Sequence, residues 1–232
     1  MPIGVLTDNI MVALGGLLGG ALGSRIPEHV KDELNRIFGF AALGIGITLV
    51  VKVHSLGAVV LAVILGTLLG ALLRLEERVN SFFAGLNERI MKKNRPDDAY
   101  MALFSTVLVL SCCSGTGIFG SMNEALTGDS TTILCKAILD FFTVMIFATV
   151  LGKFTAIIAI PQMVILLTLF FCAKLILPVM TDIMIADFSA VGGIIELVIA
   201  FRILKLTQMK AIDVLPALFL IFPVTALWNA IF

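Results

Sequence analysis

Charge is what this 232-residue chain has least of: 14% of its residues are Asp, Glu, Lys or Arg, while 59% are hydrophobic. A soluble domain carries about 25% charged residues. Too few polar groups remain to cover a water-facing surface, which excludes soluble enzymes, nucleic-acid binders and disordered tails. Basic and acidic residues number 16 each, so the net charge is zero and no basic face is offered to nucleic acid. Histidine is nearly absent. His29 and His54 fall in connections on opposite sides of the apolar runs, so no His-based metal cluster is available and no metal or cofactor is expected. The four cysteines, Cys112, Cys113, Cys135 and Cys172, lie within or beside apolar runs and show no CxxC spacing. Adjacent Cys112 and Cys113 would bridge only with strain, and buried thiols are the expectation.

Other signatures are missing too. None of the glycines is followed by the Lys-Ser/Thr of a phosphate loop. There is no HExxH helix and no paired aspartate motif within the apolar runs, so an enzyme is not expected. No basic residue precedes Arg25, and the first apolar run is expected to act as its own insertion signal.

What the chain has is long, unbroken apolar runs. A β-barrel would show short alternating segments of about ten residues. A membrane-crossing helix needs about 20 mainly apolar residues, and such runs recur near Ile3–Gly23, Ile37–Val53, Leu56–Leu73, Ala99–Phe119, Thr131–Gly152, Phe154–Leu177, Phe188–Leu204 and Val214–Phe232. The expected fold is an all-α, polytopic transmembrane bundle of about eight spans, in one integral membrane domain covering 1–232. Thirteen of the 16 Lys and Arg fall in the connections after odd-numbered spans, and the opposite side holds only Lys52. The positive-inside rule then puts those connections in the cytoplasm and both termini outside. The lipid bilayer is the first partner implied.

Between spans three and four, Leu75, Val79, Phe82, Phe83, Leu86 and Ile90 share one helical face opposite charges. This suits an interfacial helix over 75–95, broken by Arg95-Pro96-Asp97-Asp98. Segment Ser24–Arg36 reads as a shorter interfacial helix opened by Pro27. The octet Phe40–Ile47 resembles Phe188–Ile195, and each follows an Ile-Pro or Leu-Pro step. Spans one to three (1–74) would then match spans six to eight (153–232) around a central segment, 96–152. The offset of five spans makes the repeat inverted, as in secondary transporters, whose sites lie at glycine-interrupted spans.

Gly15, Gly19 and Gly23 form one row in span one, Gly16 and Gly20 a second, and Gly66 and Gly70 a third in span three. Small residues at this spacing allow close helix approach, within the chain or between copies in a homo-oligomer. The stretch Gly115–Thr132 combines three glycines with acids, amides and hydroxyls, including Asn123 and Asp129. Glycines Gly115, Gly117 and Gly120 are expected to end or distort span four. A re-entrant or pore-lining element and an ordinary outer loop fit the stretch equally well.

Ionisable groups inside spans are costly and mark candidate sites. Lys136 and Asp140 lie one turn apart and can pair on one face of span five. Glu196 stands mid-span with no charged neighbour one turn away, and it aligns with Thr48 in the repeat. Lys174, at a span end, can snorkel to the surface.

These residues also carry a resemblance. The chain resembles the YqgA-like bacterial inner-membrane proteins, a family catalogued as a domain of unknown function. The likeness rests on Gly120-Ser121, Leu126-Thr127-Gly128-Asp129, Lys136-Ala137-Ile138-Leu139-Asp140, Phe147–Gly152, Thr181-Asp182, Phe188–Gly193, the glycine-rich first span and Leu75-Glu76-Glu77-Arg78. The family more usually has a serine where Ala137 stands and a glycine where Phe141 stands. The resemblance implies an inner-membrane location and supports the topology, but it brings no substrate.

The leading expectation is a secondary transporter or channel for a small solute or ion, with a site between spans two and seven and segment 115–140. Its candidate residues are Gly44, Gly46, Thr48, Asn123, Asp129, Lys136, Asp140, Gly192, Gly193 and Glu196. A non-transporting membrane scaffold or assembly protein is the alternative.

Overall fold

The computed structural model describes residues 1–25, 27–90 and 114–231, together with 100, 104, 107, 108, 111 and 112. Nine α-helices are described: α1 (Ile3–Leu22), α2 (Glu28–Val50), α3 (Leu56–Leu73), α4 (Leu75–Ile90), α5 (Gly115–Thr127), α6 (Thr131–Leu151), α7 (Ala159–Ile176), α8 (Asp182–Ile203) and α9 (Ala217–Ile231). Short 3-10 turns, Lys153–Ile158 and Ala211–Val214, lead into α7 and α9. No strand occurs among the described residues. Among the described residues, six helical segments are long and apolar enough to cross a membrane, and Arg36–Val50 is a shorter apolar helix. Part of the fourth apolar run, the Arg95–Asp98 break and the end of the expected 75–95 helix lie outside the described residues.

Two expectations are corrected. Pro27 does not open a separate interfacial helix, because α2 starts at Glu28 and runs unbroken to Val50. Proline fits the start of a helix, where its missing N–H is not needed. Gly115, Gly117 and Gly120 do not end a helix; they lie within α5, which begins at Gly115. Ser114 caps that helix by accepting from Gly117 N at 3.0 Å. Two of these glycines pack on α6, Gly117 beside Lys136 and Gly120 beside Ile133. Gly128, at φ 77°, closes α5 and lets the chain double back into α6.

Glycine rows set the helix pairs. A side chain at Gly15 or Gly19 would strike the α6 backbone at Phe141 or Met145, and one at Gly16 or Gly20 would strike Ala156 or Lys153. Gly66 and Gly70 pack as closely on Ala217 and Asp213. Gly46 and Gly193 meet where α2 crosses α8, and Gly192 lies under the Phe119 ring. Order along these contacts makes α1 parallel to α6, α2 antiparallel to α8 and α3 antiparallel to α9. Phe119, Phe188 and Phe222 stack through the centre, with ring centroids 5.1 and 5.3 Å apart.

Helix starts need partners for their free N–H groups. Here they come from distant carboxylates. Glu124 of α5 accepts from Gly4 N at 2.7 Å and Val5 N at 3.2 Å, at the start of α1. Asp187 of α8 accepts from His54 N and Ser55 N at 2.9 and 2.7 Å, just before α3. Asp213 accepts from Glu76 N at 2.9 Å at the start of α4. Each negative charge also sits at the positive end of a helix dipole.

Candidate functional site

Helices α2, α4, α5, α6 and α8 enclose a cavity of about 690 Å³. Arg36, Arg202 and Lys205 line it where the protein surface is exposed, and Thr116, Lys136 and Glu196 line it where the protein is buried. The cavity therefore runs from the exposed ends of the helices to mid-helix ionisable groups. Its outer part is organised by Glu76, which takes a bidentate pair from Arg202 at 2.8 and 2.9 Å. Glu76 also accepts from Ile212 N at 3.4 Å, so α4 is tied to α8 and to the turn before α9. Beside it Lys210 donates to Glu77 at 2.8 Å. That hydrogen bond, reinforced by the ammonium charge, holds the Glu77 carboxyl below the usual range.

At the inner end, Lys136 of α6 pairs with Asp140 one turn on and with Asp8 of α1 at 3.0 Å. Gln162 of α7 donates to Asp8 Oδ2 at 2.6 Å and, more weakly, to Asp140 Oδ2 at 3.4 Å. Glu196 of α8 accepts a hydrogen bond from the Thr116 hydroxyl of α5. Thr116 stands in the first turn of α5, so a helix N-terminus faces the same space as the two carboxylates. Basic groups at one end and a mixed set at the other can draw in a small polar or ionic species and hold it by charge.

Of the ten residues singled out from sequence, Lys136, Asp140 and Glu196 come together around this cavity. The other seven do not. Gly46, Gly192 and Gly193 are filled by helix packing. Gly44 faces open space, and Thr48, exposed, donates back to Ile45 O. Asn123 and Asp129 belong to the α5–α6 turn: Asn123 donates to Asp129 O, and Asp129 accepts from Thr131 N. Asp129 is held below its ordinary range by the Thr131 side chain first, then by the Thr131 N–H, with Lys52 at 3.9 Å adding to the effect.

Asp8, Gln162, Thr116 and the Glu76–Arg202 pair were missed. Its standing as the one charged residue of the first span, Ile3–Gly23, was the available signal for Asp8.

Residues 3–226 match the model of a family described as a protein of unknown function, DUF554. The chain is 45% identical to the uncharacterized protein YqgA of Escherichia coli strain K12, with both chains covered in full. It is 29% identical to the uncharacterized membrane protein YdfK of Bacillus subtilis strain 168, over 93% of this chain and 92% of that one. No solved structure matches.

Proposed function

The chain belongs to this family of unknown function, and we propose that it is a secondary transporter or channel for a small solute or ion. The observation that carries the reading is the 690 Å³ cavity that reaches Lys136, Asp140 and Glu196 at mid-helix. A bundle that needed these groups only for packing would close around them. Ionisable side chains in spans that face a cavity mark substrate or ion pathways.

The reading extends to an inner-membrane protein of eight spans with both termini outside and the cavity opening to the cytoplasm. The position of Arg36, Arg202 and Lys205 at its exposed end supports this orientation. Support for an inverted repeat comes from helix pairing. Spans matched by the repeat lie against each other antiparallel: α2 on α8 through Gly46 and Gly193, α3 on α9 through Gly66 and Ala217, and α1 on the 153–176 segment through Gly16–Ala156 and Asp8–Gln162. Inverted-topology repeats carry their sites at such an interface. Glycine-mediated close packing within the chain favours the competing reading, a scaffold that transports nothing.

Flux in proteoliposomes decides between them, using a panel of protons, alkali cations, small anions and metabolites. Transport that Glu196→Gln and Asp140→Asn each reduce at least tenfold is the expected result. Absence of flux for the whole panel in correctly folded protein, or wild-type flux in both variants, would sink the proposal.

A further inference from the structure

Asp8 is the sixth residue of α1 and is fully buried, as is Gln162. Gln162 Nε2 and Lys136 Nζ both donate to Asp8 Oδ2. The other oxygen, Asp8 Oδ1, has no donor among the described residues, and neither has Gln162 Oε1. A single amide–carboxylate contact thus leaves two acceptor oxygens bare in the interior. Buried acceptors without a donor are costly and call for an occupant.

Charge points the same way. Asp8 from α1 and Asp140 from α6 share one ammonium, Lys136, which leaves the cluster one negative charge in excess. Gln162 from α7 is neutral, and Glu196 from α8, on the same cavity, adds a further acid. Buried charge of this kind is relieved by pairing, by a bound cation or by protonation. A divalent ion prefers six or more oxygens and several carboxylates. At Asp8 itself, the one excess charge of the Asp8–Asp140–Lys136 cluster, with one carboxylate and one amide oxygen free, fits a monovalent ion.

We propose that Asp8 and Gln162 form the binding site of a monovalent cation, H⁺ or Na⁺, held by Asp8 Oδ1 and Gln162 Oε1 and reached from the cavity past Asp140. Its use as a coupling ion rests on the transport reading; its binding does not. As a proton, the cation sits on Asp8 Oδ1 and is donated to Gln162 Oε1, completing a reciprocal acid–amide pair with the Nε2–Oδ2 bond. As Na⁺, it is ligated by both oxygens and by water from the cavity.

The test reads stability of the purified full chain in detergent, without flux. Thermal midpoints are measured with NaCl replacing choline chloride at constant ionic strength and pH, and then from pH 9 to pH 5 without Na⁺. A rise of about 3–6 °C at roughly ten times the dissociation constant is expected for wild type. A rise with NaCl identifies Na⁺; a rise only on acidification identifies H⁺. Asp8→Asn places an N–H where the cation sits, so it is expected to fold, to be at least as stable and to lose the response. Gln162→Leu should weaken the response while keeping Asp8. Wild type indifferent to both conditions, or Asp8→Asn with the full response, overturns the proposal. A cation response without any flux would leave the site standing and remove the transport reading.

Discussion

Two sets of buried or largely buried acids share the same bundle but are held by different donors. Glu124, Asp187 and Asp213 receive backbone N–H groups at helix starts. Among the described residues, Asp8, Asp140 and Glu196 receive only side-chain donors, from Lys136, Gln162 and Thr116. A backbone N–H at a helix start is fixed in place and permanently in need of an acceptor. A side-chain donor can rotate, change partner or be displaced by an ion. Acids of the first kind join sequence-distant helices, and acids of the second kind can exchange what they hold.

Removing the shared ammonium should have the largest effect. Lys136→Met leaves the buried Asp8 and the largely buried Asp140 without a counter-charge, and breaking a buried pair costs about 3–5 kcal/mol. Folded yield and thermal midpoint should both fall sharply. Adding Asp8→Asn removes one of the stranded charges and should recover a large part of the loss. If the double variant is no better than Lys136→Met alone, the cluster is not balanced by charge as described.

Next comes a cap. Asp187→Ala strands His54 N, Ser55 N and the Thr225 hydroxyl, which donates to Asp187 at 3.0 Å. Each orphaned buried donor costs about 1–3 kcal/mol. Asp187→Asn keeps an acceptor oxygen and should lose much less. In proteoliposomes the folded Asp187→Asn should transport at the wild-type rate, since its side chain lies outside the cavity lining. An amide that abolished flux while sparing stability would erase the distinction between the two sets.

Glu196→Gln should show the reverse pattern. The amide can still accept from Thr116, so stability should change by less than about 1 kcal/mol. Unfolding measured alongside flux separates the two roles: a small shift in midpoint with a large loss of transport.

How much of this could be read from the chain depends on how far apart the partners lie. Lys136 and Asp140 are one turn apart, so their pairing is visible in the sequence. Glu196 stands out as an acid in an apolar run, but its partner Thr116 is 80 residues away and ordinary in type. Asp8 meets Lys136 across 128 residues and Gln162 across 154. Near the start of a span, it reads like an acid at the membrane surface. The glycines mislead for another reason. Gly46, Gly192 and Gly193 have the pattern that admits a ligand, and the same pattern admits a neighbouring helix or the Phe119 ring. For α5, Ser114 is a legible cap, yet the run of glycines after it outweighs the cap in any propensity argument.

The smallest effect belongs to Asp129, a capping acid with its side chain 41% exposed. It accepts from Thr131 N at 2.9 Å at the start of α6. Because its pKa is depressed in the folded protein, it adds stability above the ordinary aspartate value, about 3.9. That contribution is lost as pH falls through the lower folded value. Solvent screens an acid this exposed, so the contribution should be a few tenths of a kcal/mol. Asp129→Asn should therefore lower the unfolding midpoint slightly at pH 7 and leave it unchanged at pH 2–3. Asp8→Asn should instead remove a response to cations without costing stability at pH 7. A difference at pH 7 that persisted undiminished at pH 2–3 would mean that Asp129 acts by packing rather than by charge, and it would leave the set of capping acids.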